Sequence, residues 1–142
     1  MQIPAAKIYF PEADKKEILA KIEEILTTGQ LTLGKYGKEL EDKFANYIGV
    51  KYALAVHSGT SALEIILRAL DIAGSSIIVP TNTFFATPAS VLHAGGKVIF
   101  ADVRENLCLD PASLKANITE DTKGVILVHI GGLVPPQTAE IR

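Results

Sequence analysis

Residues 76–102, SIIVPTNTFFATPASVLHAGGKVIFAD, hold the pattern that decides the fold: two short apolar runs with a helix-length segment between them. The runs, 76–79 and 97–102, are mainly apolar without alternation, which is typical of parallel strands that are buried on both faces. Parallel neighbours need a crossover connection, and residues 84–94 have a helical pattern that suits one. The stretch therefore predicts a β-α-β unit of an α/β protein.

The same alternation of short apolar runs and helical patterns continues on both sides of this stretch. Two more apolar runs, 53–56 and 124–130, are predicted to be parallel strands, and residues 61–72 and 111–117 are predicted to be crossover helices. We expect a three-layer α/β/α arrangement. Ligands of such sheets bind in the loops at the carboxyl ends of the strands, so we expect the functional residues there.

Two amphipathic helices are predicted before the first strand. Residues 11–30 carry apolar side chains at helical spacing, with Pro11 suited to the first turn and Gly29 to the end. Residues 38–49 repeat this pattern and end at Gly49.

The composition excludes several classes of partner. The 142 residues include 14 basic and 16 acidic side chains, so no nucleic acid or anionic membrane is expected to bind. No apolar run reaches the length of a membrane span, and the first residues lack the pattern of a signal peptide. We expect a soluble, cytoplasmic protein.

The cysteine and the histidines indicate no metal site. Cys108 is the single cysteine, which excludes an internal disulfide, and we interpret it as an ordinary small apolar residue. His57, His93 and His129 lack the spacing of metal ligands. His93 lies in a helical pattern and is expected to be structural. His57 and His129 each end a predicted strand, where either a site role or a purely structural one fits.

The turn HSGTS, residues 57–61, joins a predicted strand to a predicted helix. Glycine and hydroxyl residues at such a turn can surround an anion with free N–H groups, and the helix dipole favours the negative charge. The alternative is a simple helix cap by Ser58 or Thr60, with Gly59 easing the turn. The residues alone give both interpretations similar weight, and neither a P-loop nor a dinucleotide-binding glycine motif is present.

Two adjacent aromatic residues, Phe84 and Phe85, follow the strand 76–79. One of them could lie against a planar ligand at the end of the sheet. Placement of both rings in the core is the interpretation that the residues alone favour. Asp102 ends the next strand, and bracing of the following loop is favoured over a role as a site carboxylate.

Together these segments resemble the N-terminal part of the DegT/DnrJ/EryC1/StrS family of pyridoxal-phosphate sugar aminotransferases. The resemblance runs from about residue 30 to the end and is carried by GKYGKELEDKFANYIGVKYALAVHSGTSAL, IIVPTNTFFATPASVLHAGGKVIFADV and LDPASLKANITEDTKGVILVHIGG. The motifs S-G-T-x-A-L and P-x-x-T-F-x-A-T are its most specific elements.

The resemblance implies a cofactor and the residues that bind it. The cofactor is pyridoxal 5'-phosphate, and the S-G-T-S turn corresponds to the family's phosphate-binding turn, so Gly59, Thr60 and Ser61 are expected to hold the phosphate. Phe84 stands where the family has the aromatic ring that stacks on the pyridine. Thr87 and His129 match positions near the cofactor.

The resemblance also implies a fold, a reaction and an assembly. Residues 1–142 are expected to form the N-terminal portion of a fold-type-I large domain, with 30–142 most similar to the family and 1–29 an N-terminal helical segment. The reaction is transfer of an amino group from an amino acid, usually glutamate, to a keto sugar linked to a nucleotide, for the biosynthesis of cell-surface or secondary-metabolite sugars. The expected assembly is a homodimer.

One family feature has no counterpart in this sequence. None of the eleven lysines stands in the motif of the Schiff-base lysine, so no catalytic residue is assigned. We interpret the chain as a truncated or fragmentary member that is inactive alone. The alternatives are the dehydratase branch of the family, which uses histidine in place of that lysine, a non-catalytic module that binds phosphate or the cofactor, and an inactive fragment.

Overall fold

The computed structural model describes residues 6–134, 136 and 138–141 of the chain. The chain divides into two compact units between Ala55 and Val56. The first unit is helical, and the second contains the sheet.

The first unit contains both predicted amphipathic helices. Helix α1 spans Glu12–Thr28 and α2 spans Lys35–Ile48, so α2 begins three residues before the predicted 38. Each helix ends at a glycine in the left-handed conformation, Gly29 with φ 70° and Gly49 with φ 77°. The predicted stops are confirmed, because glycine adopts this conformation without strain.

Many apolar side chains of the two helices are exposed. Ala45 is the one residue of α1 and α2 that is buried. The exposed large apolar side chains of the helices include Ile18, Leu19, Ile22, Leu26, Leu40, Phe44, Tyr47 and Ile48.

The predicted strand over residues 53–56 is wrong. No residue of the run is assigned to a strand, and Leu54 is 70 % exposed. The Ala55 N–H donates to the Glu41 carboxylate at 3.0 Å instead of to a neighbouring strand. A strand forms only where a partner satisfies its backbone groups, and no described strand pairs with this run.

The second unit is built on a parallel sheet of three strands. They are β1 (Ser76–Pro80), β2 (Lys97–Ala101) and β3 (Thr122–Val125), arranged in the order β2-β1-β3 with both pairings parallel. The helices are α3 (Gly59–Ala69), α4 (Ala86–His93), α5 (Pro111–Asn117) and α6 (Thr138–Ile141), and a short 3-10 helix spans Ile130–Gly132. The β-α-β unit predicted from residues 76–102 is therefore confirmed.

Strand β1 lies between two apolar clusters, which gives the three layers. Ile77 and Val79 pack with α3 and α4 through Leu67 and Val91. Ile78 belongs to a second cluster, together with Ala101, Leu109 and Leu114. All five residues of β1 are buried, as expected for a central parallel strand.

The two outer strands differ from their predictions. Strand β2 was expected to be buried on both faces, but Phe100 is 53 % exposed because this strand is at the edge of the described sheet. Strand β3 was predicted over 124–130, but its pairing begins at Thr122 and ends at Val125. The Ile126 N–H adds one more bond to the sheet, to the Ile78 carbonyl at 2.9 Å, and the chain then leaves the strand.

Asp121 connects the start of all three strands. Its carboxylate accepts from the Thr119 hydroxyl at 2.6 Å, from the Lys97 ammonium at 3.3 Å and from the Ser76 hydroxyl at 3.2 Å. These donors hold the pKa of Asp121 below its usual 3.8, with Thr119 the largest contribution.

This lowered pKa predicts a loss of stability in acid. A carboxyl group whose pKa is lower in the folded state stabilises the protein above its unfolded pKa, and this contribution disappears as the pH falls through the folded value. We expect wild-type stability to fall more steeply below about pH 4 than that of Asp121→Asn, measured by urea unfolding at several pH values. The matched control is Glu120→Gln, which removes an adjacent carboxylate without a described hydrogen bond and should leave the slope unchanged. Equal slopes in wild type and Asp121→Asn would contradict the role of Asp121.

Candidate active site

The start of α3 is capped by Ser58. Ser58 has extended backbone angles, φ −157° and ψ 157°, and its hydroxyl accepts the Ser61 N–H at 3.1 Å. The Ala62 N–H then makes the first helical bond, to the Ser58 carbonyl at 3.1 Å. The cap that was considered as an alternative to an anion site is therefore present at Ser58, and it satisfies one of the four N–H groups that begin a helix.

The cap leaves two donors open. Within the described part of the chain, neither the Gly59 N–H nor the Thr60 N–H has a hydrogen-bond acceptor. Gly59 is exposed, and a Cβ atom added to it would meet no residue beyond its chain neighbours and the helix's own backbone within 4 Å. A helix start with free N–H groups and open space is suited to bind an anion, and the cap does not exclude this.

His57 precedes the turn, and the sequence did not decide whether its role is in a site or purely structural. The Ser61 hydroxyl lies 3.0 Å from His57 Nε2 and 3.1 Å from the Ser58 hydroxyl. His57 is exposed, and the residues before it form no strand, so its predicted place at a strand end is wrong. The turn thus contains a short chain of polar side chains, from Ser58 through Ser61 to His57.

The connection from β1 to α4 holds the second group of predicted site residues. Thr87 is buried in the first turn of α4, and its hydroxyl lies 2.7 Å from the Thr83 hydroxyl. The Thr87 N–H donates to the Phe84 carbonyl at 3.0 Å. These bonds fix the backbone of the turn that carries the aromatic pair.

Both aromatic rings of this turn are exposed. Phe84 is 68 % exposed and Phe85 is 71 % exposed, so the interpretation that placed both rings in the core is wrong. In the helix that follows, Val91 is fully buried in the apolar cluster around β1, which does not include the two rings. The two rings contact each other, with centroids 4.5 Å apart and planes tilted by 54°. Such a tilted contact is a favourable arrangement for two rings.

The remaining candidates lie in different surroundings. His129 is exposed in the segment between β3 and the 3-10 helix, so it does not end a strand as predicted. Asp102 braces the following loop through its backbone: its N–H donates to the Ser113 hydroxyl and its carbonyl accepts the Asp110 N–H, both at 2.9 Å. Bracing was the favoured interpretation, and it needs no side-chain contact.

His93 belongs to a charged cluster that joins α3 to α4. Glu64 pairs with Arg68 at 2.8 Å and with His93 at 3.6 Å. Arg68 also donates to the His93 carbonyl at 2.5 Å. The hydrogen bond from Arg68 is the main cause of the lowered pKa of Glu64, and the charge of His93 adds to it. The structural role that was expected for His93 is consistent with this cluster.

Other expectations concern metals and membranes. Cys108 is buried, as an ordinary apolar residue would be. Among residues 6–134, 136 and 138–141, no group of three or more potential ligands is arranged to hold a metal ion. None of the helices that the structure describes is long and apolar enough to span a bilayer.

Comparison with known proteins decides the family. The model of the DegT/DnrJ/EryC1/StrS aminotransferase family matches residues 12–141, which include the α3 turn and the aromatic pair. The chain belongs to this family. The resemblance stated from the sequence motifs is therefore confirmed, and the match begins before residue 30, at the start of α1.

Family members with curated names cover most of this chain. It is 40 % identical over 119 residues to the spore coat polysaccharide biosynthesis protein SpsC of Bacillus subtilis. It is 41 % identical over 121 residues to a UDP-N-acetyl-3-dehydro-alpha-D-glucosamine 3-aminotransferase of Acidithiobacillus ferrooxidans. The matches cover 82 % and 84 % of this chain but 31 % and 33 % of the relatives. The chain thus spans about a third of the length of these relatives.

Solved structures of the family share the fold. NtdA from Bacillus subtilis, crystallised with the cofactor PMP, is 34 % identical with a TM-score of 0.82, over 90 % of this chain and 30 % of that one. The GDP-4-keto-6-deoxy-D-mannose-3-dehydratase of E. coli, with bound hydrated PLP, is 30 % identical with a TM-score of 0.77. That match covers 90 % of this chain and 34 % of the dehydratase. The α/β fold-type-I assignment is confirmed by these likenesses.

Thr83 was not predicted as a site residue, and the contact of His57 with the turn was not predicted either. Thr83 supports Thr87, and the spacing of four residues at a helix start was a signal that could have indicated it. The contact between His57 and Ser61 has the same spacing, but the predicted strand over 53–56 obscured it.

Proposed function

We propose that this chain is the N-terminal portion of the large domain of a pyridoxal-phosphate-dependent aminotransferase. The amino group would pass from an amino acid, glutamate in the first instance, to a keto sugar linked to a nucleotide. The family match over residues 12–141 carries this proposal. It is supported by relatives whose names describe nucleotide-sugar aminotransferases.

The turn at the start of α3 fits the phosphate of the cofactor. The N–H groups of Gly59 and Thr60 are open, and the hydroxyls of Thr60 and Ser61 are further donors at the same helix start. A phosphate group close to pH 7 carries between one and two negative charges, which the helix dipole favours. We therefore propose that Gly59, Thr60 and Ser61 bind the phosphate.

The exposed ring of Phe84 fits the planar part of the cofactor. When bound, pyridoxal phosphate supplies an electron sink for the reaction of the amino group. We propose that the ring of Phe84 stacks on the pyridine ring and orients it. The Phe84 ring is exposed, and the Phe84 carbonyl accepts the Thr87 N–H, which fixes the backbone. Thr87 and His129 remain proposed cofactor neighbours because of their motif positions, and the hydroxyl of Thr87 is already paired with Thr83.

A second reaction has a specific observation in its favour. Structures of dehydratases of the same family match this chain with TM-scores of 0.76 and 0.77. The aminotransferase reaction is preferred because the curated relatives above 35 % identity include several named aminotransferases. A non-catalytic module that binds the cofactor would share the phosphate turn, so binding alone does not separate it from an enzyme portion.

The remaining proposals concern assembly and location. A homodimer is supported by the exposed apolar side chains of α1 and α2, since such surface is usually covered by a partner. The cytoplasmic location stays a prediction. Inactivity of the 142 residues alone also stays a prediction, which borohydride reduction and peptide mapping would test by the absence of a labelled lysine.

The phosphate site predicts a defined loss on changing Thr60. Replacing Thr60 by valine keeps the shape of the side chain and removes its hydroxyl, so binding of pyridoxal phosphate should weaken by about 1.5–2 kcal/mol, the lower part of the range for a hydrogen bond to a charged group. Calorimetric titration of the 142-residue chain measures this. The matched control is Thr32→Val, an exposed threonine of the first unit, which should bind as wild type does.

Two outcomes would count against the proposal in different ways. If wild type does not bind pyridoxal phosphate, the cofactor site itself is contradicted. If wild type and Thr60→Val bind equally well, the cofactor site stands, but Thr60 has no part in it.

A further inference from the structure

The side chain of Phe85 has no role in the proposed site, although its ring is as exposed as that of Phe84. Phe84 is 68 % exposed and Phe85 is 71 % exposed, and neither ring belongs to the two apolar clusters around β1. The two rings contact each other, with their centroids 4.5 Å apart. Because this contact buries neither ring in the core, core packing does not explain it.

The backbone on which both rings stand is fixed. The Phe84 carbonyl accepts the Thr87 N–H at 3.0 Å, and the Phe85 carbonyl accepts the Ala89 N–H at 3.1 Å. Phe85 directly precedes α4 and already has helical backbone angles, φ −56° and ψ −23°. The freedom left to each ring is rotation about its own side-chain bonds. A centroid separation of 4.5 Å is at the short end of the range for aromatic pairs, so a ring that turns to another rotamer loses the contact.

We propose that Phe85 is a positioning residue that holds the Phe84 ring in the orientation in which it stacks on the pyridine ring of the cofactor. A side chain that moves freely has to be immobilised when a ligand binds, and this ordering reduces affinity. The contact with Phe85 orders the Phe84 ring before the ligand arrives, and a tilted aromatic pair is itself favourable. The inference rests on the proposed function, because it assigns Phe85 a role within the same site.

A residue that acts through another is recognised by a double-mutant cycle. The four proteins are the 142-residue wild type, Phe84→Ala, Phe85→Ala and the double variant. The probe is pyridoxamine phosphate, titrated calorimetrically, since it has the ring and the phosphate of the cofactor but no aldehyde that would react with surface lysines. We expect Phe85→Ala to bind it about fivefold more weakly than wild type, the size of the ordering cost of one side chain. In the Phe84→Ala chain, the same change should have no further effect.

Two variants serve as controls for the cycle. Phe85→Tyr keeps the aromatic ring and should bind as wild type does. Leu92→Ala removes a large apolar side chain of α4 that is 60 % exposed and lies outside the ring pair, and it should also bind normally.

Two further readouts separate positioning from a purely structural role. Inorganic phosphate has no ring to stack, so Phe85→Ala should bind it with wild-type affinity. Without any ligand, ¹³C relaxation of the Phe84 ring should show greater mobility in Phe85→Ala than in wild type.

Each other result would overturn the inference. Wild-type affinity of Phe85→Ala for pyridoxamine phosphate, or an equal loss in the presence and absence of the Phe84 ring, would show that Phe85 does not act through Phe84. An equal loss of phosphate affinity in Phe85→Ala would assign Phe85 a structural role only. Normal binding by Phe84→Ala would contradict the proposed stacking and the role of Phe85 with it, and absence of binding by wild type would contradict the whole cofactor site.

Discussion

The variant Gly59→Pro is expected to fold as wild type does and to bind pyridoxal phosphate about 50-fold more weakly. Gly59 is the first residue of α3, where proline is well tolerated, and the preceding Ser58 already has the extended backbone that proline requires. A Cβ atom on Gly59 meets no neighbour within 4 Å. The change therefore removes a proposed N–H donor to the phosphate and fills its space, without a cost to the helix.

The size of this effect follows from the bond that is lost. A hydrogen bond to a charged group contributes about 1.5–3 kcal/mol, and the proline ring adds a steric penalty. The matched control is Lys35→Pro, which places proline at the first residue of α2, again after an extended residue, Gly34. Lys35→Pro should bind the cofactor as wild type does. If Gly59→Pro also binds normally while circular dichroism shows a folded chain, the N–H of Gly59 is not a phosphate ligand.

The largest effect on stability is expected for Ile78→Ala. Ile78 lies in the central strand with no exposed surface, in the cluster that also contains Leu109 and Leu114. Truncation of a fully buried isoleucine to alanine costs about 2–5 kcal/mol, and the central strand leaves little room for the cavity to collapse. We expect a loss near the middle of this range, about 3–4 kcal/mol.

Hydrogen exchange of the β1 amides in a series of urea concentrations measures this loss in the second unit alone. It is preferred to tyrosine fluorescence, because all four tyrosines belong to the first unit. The control is Leu92→Ala, also in the second unit, whose side chain is 60 % exposed and whose loss should cost less than about 1 kcal/mol. Similar exchange rates in Ile78→Ala and Leu92→Ala would contradict the central position of β1.

The β-α-β unit was predictable because its signals are local. Strand β1 is apolar at every position from Ile77 to Val79, and a strand that is buried on both faces requires apolar side chains on both. The helix stops at Gly29 and Gly49 were equally predictable, since both glycines have the left-handed conformation that ends a helix.

The errors arise where structure depends on a partner rather than on the local sequence. The run 53–56 has the composition of a buried strand, but no described strand pairs with it and it remains irregular. Phe84 and Phe85 are residues typical of a core, yet both rings are exposed and neither belongs to the apolar cluster that contains Val79 and Val91. The hydrophobicity of a residue alone does not determine whether its side chain is buried in the core.

The candidate site was also predictable from the sequence only in part. The S-G-T-S turn was recognisable as a phosphate cradle or a cap, and the structure has a cap at Ser58 that leaves the Gly59 and Thr60 N–H groups open. The contact of His57 with Ser61 has the spacing of neighbours on a helix, but it was missed because residues 53–56 were predicted to form a strand that ends at His57.

The central claim is that the start of α3 binds the phosphate of pyridoxal phosphate, and amide NMR tests it most directly. A titration of the ¹⁵N-labelled chain with pyridoxal phosphate follows every backbone N–H separately. We predict that the largest shifts, to lower field, occur at Gly59 and Thr60, because these N–H groups gain a charged acceptor. Saturable binding with the largest shifts in the first unit, and none at Gly59 and Thr60, would contradict the claim.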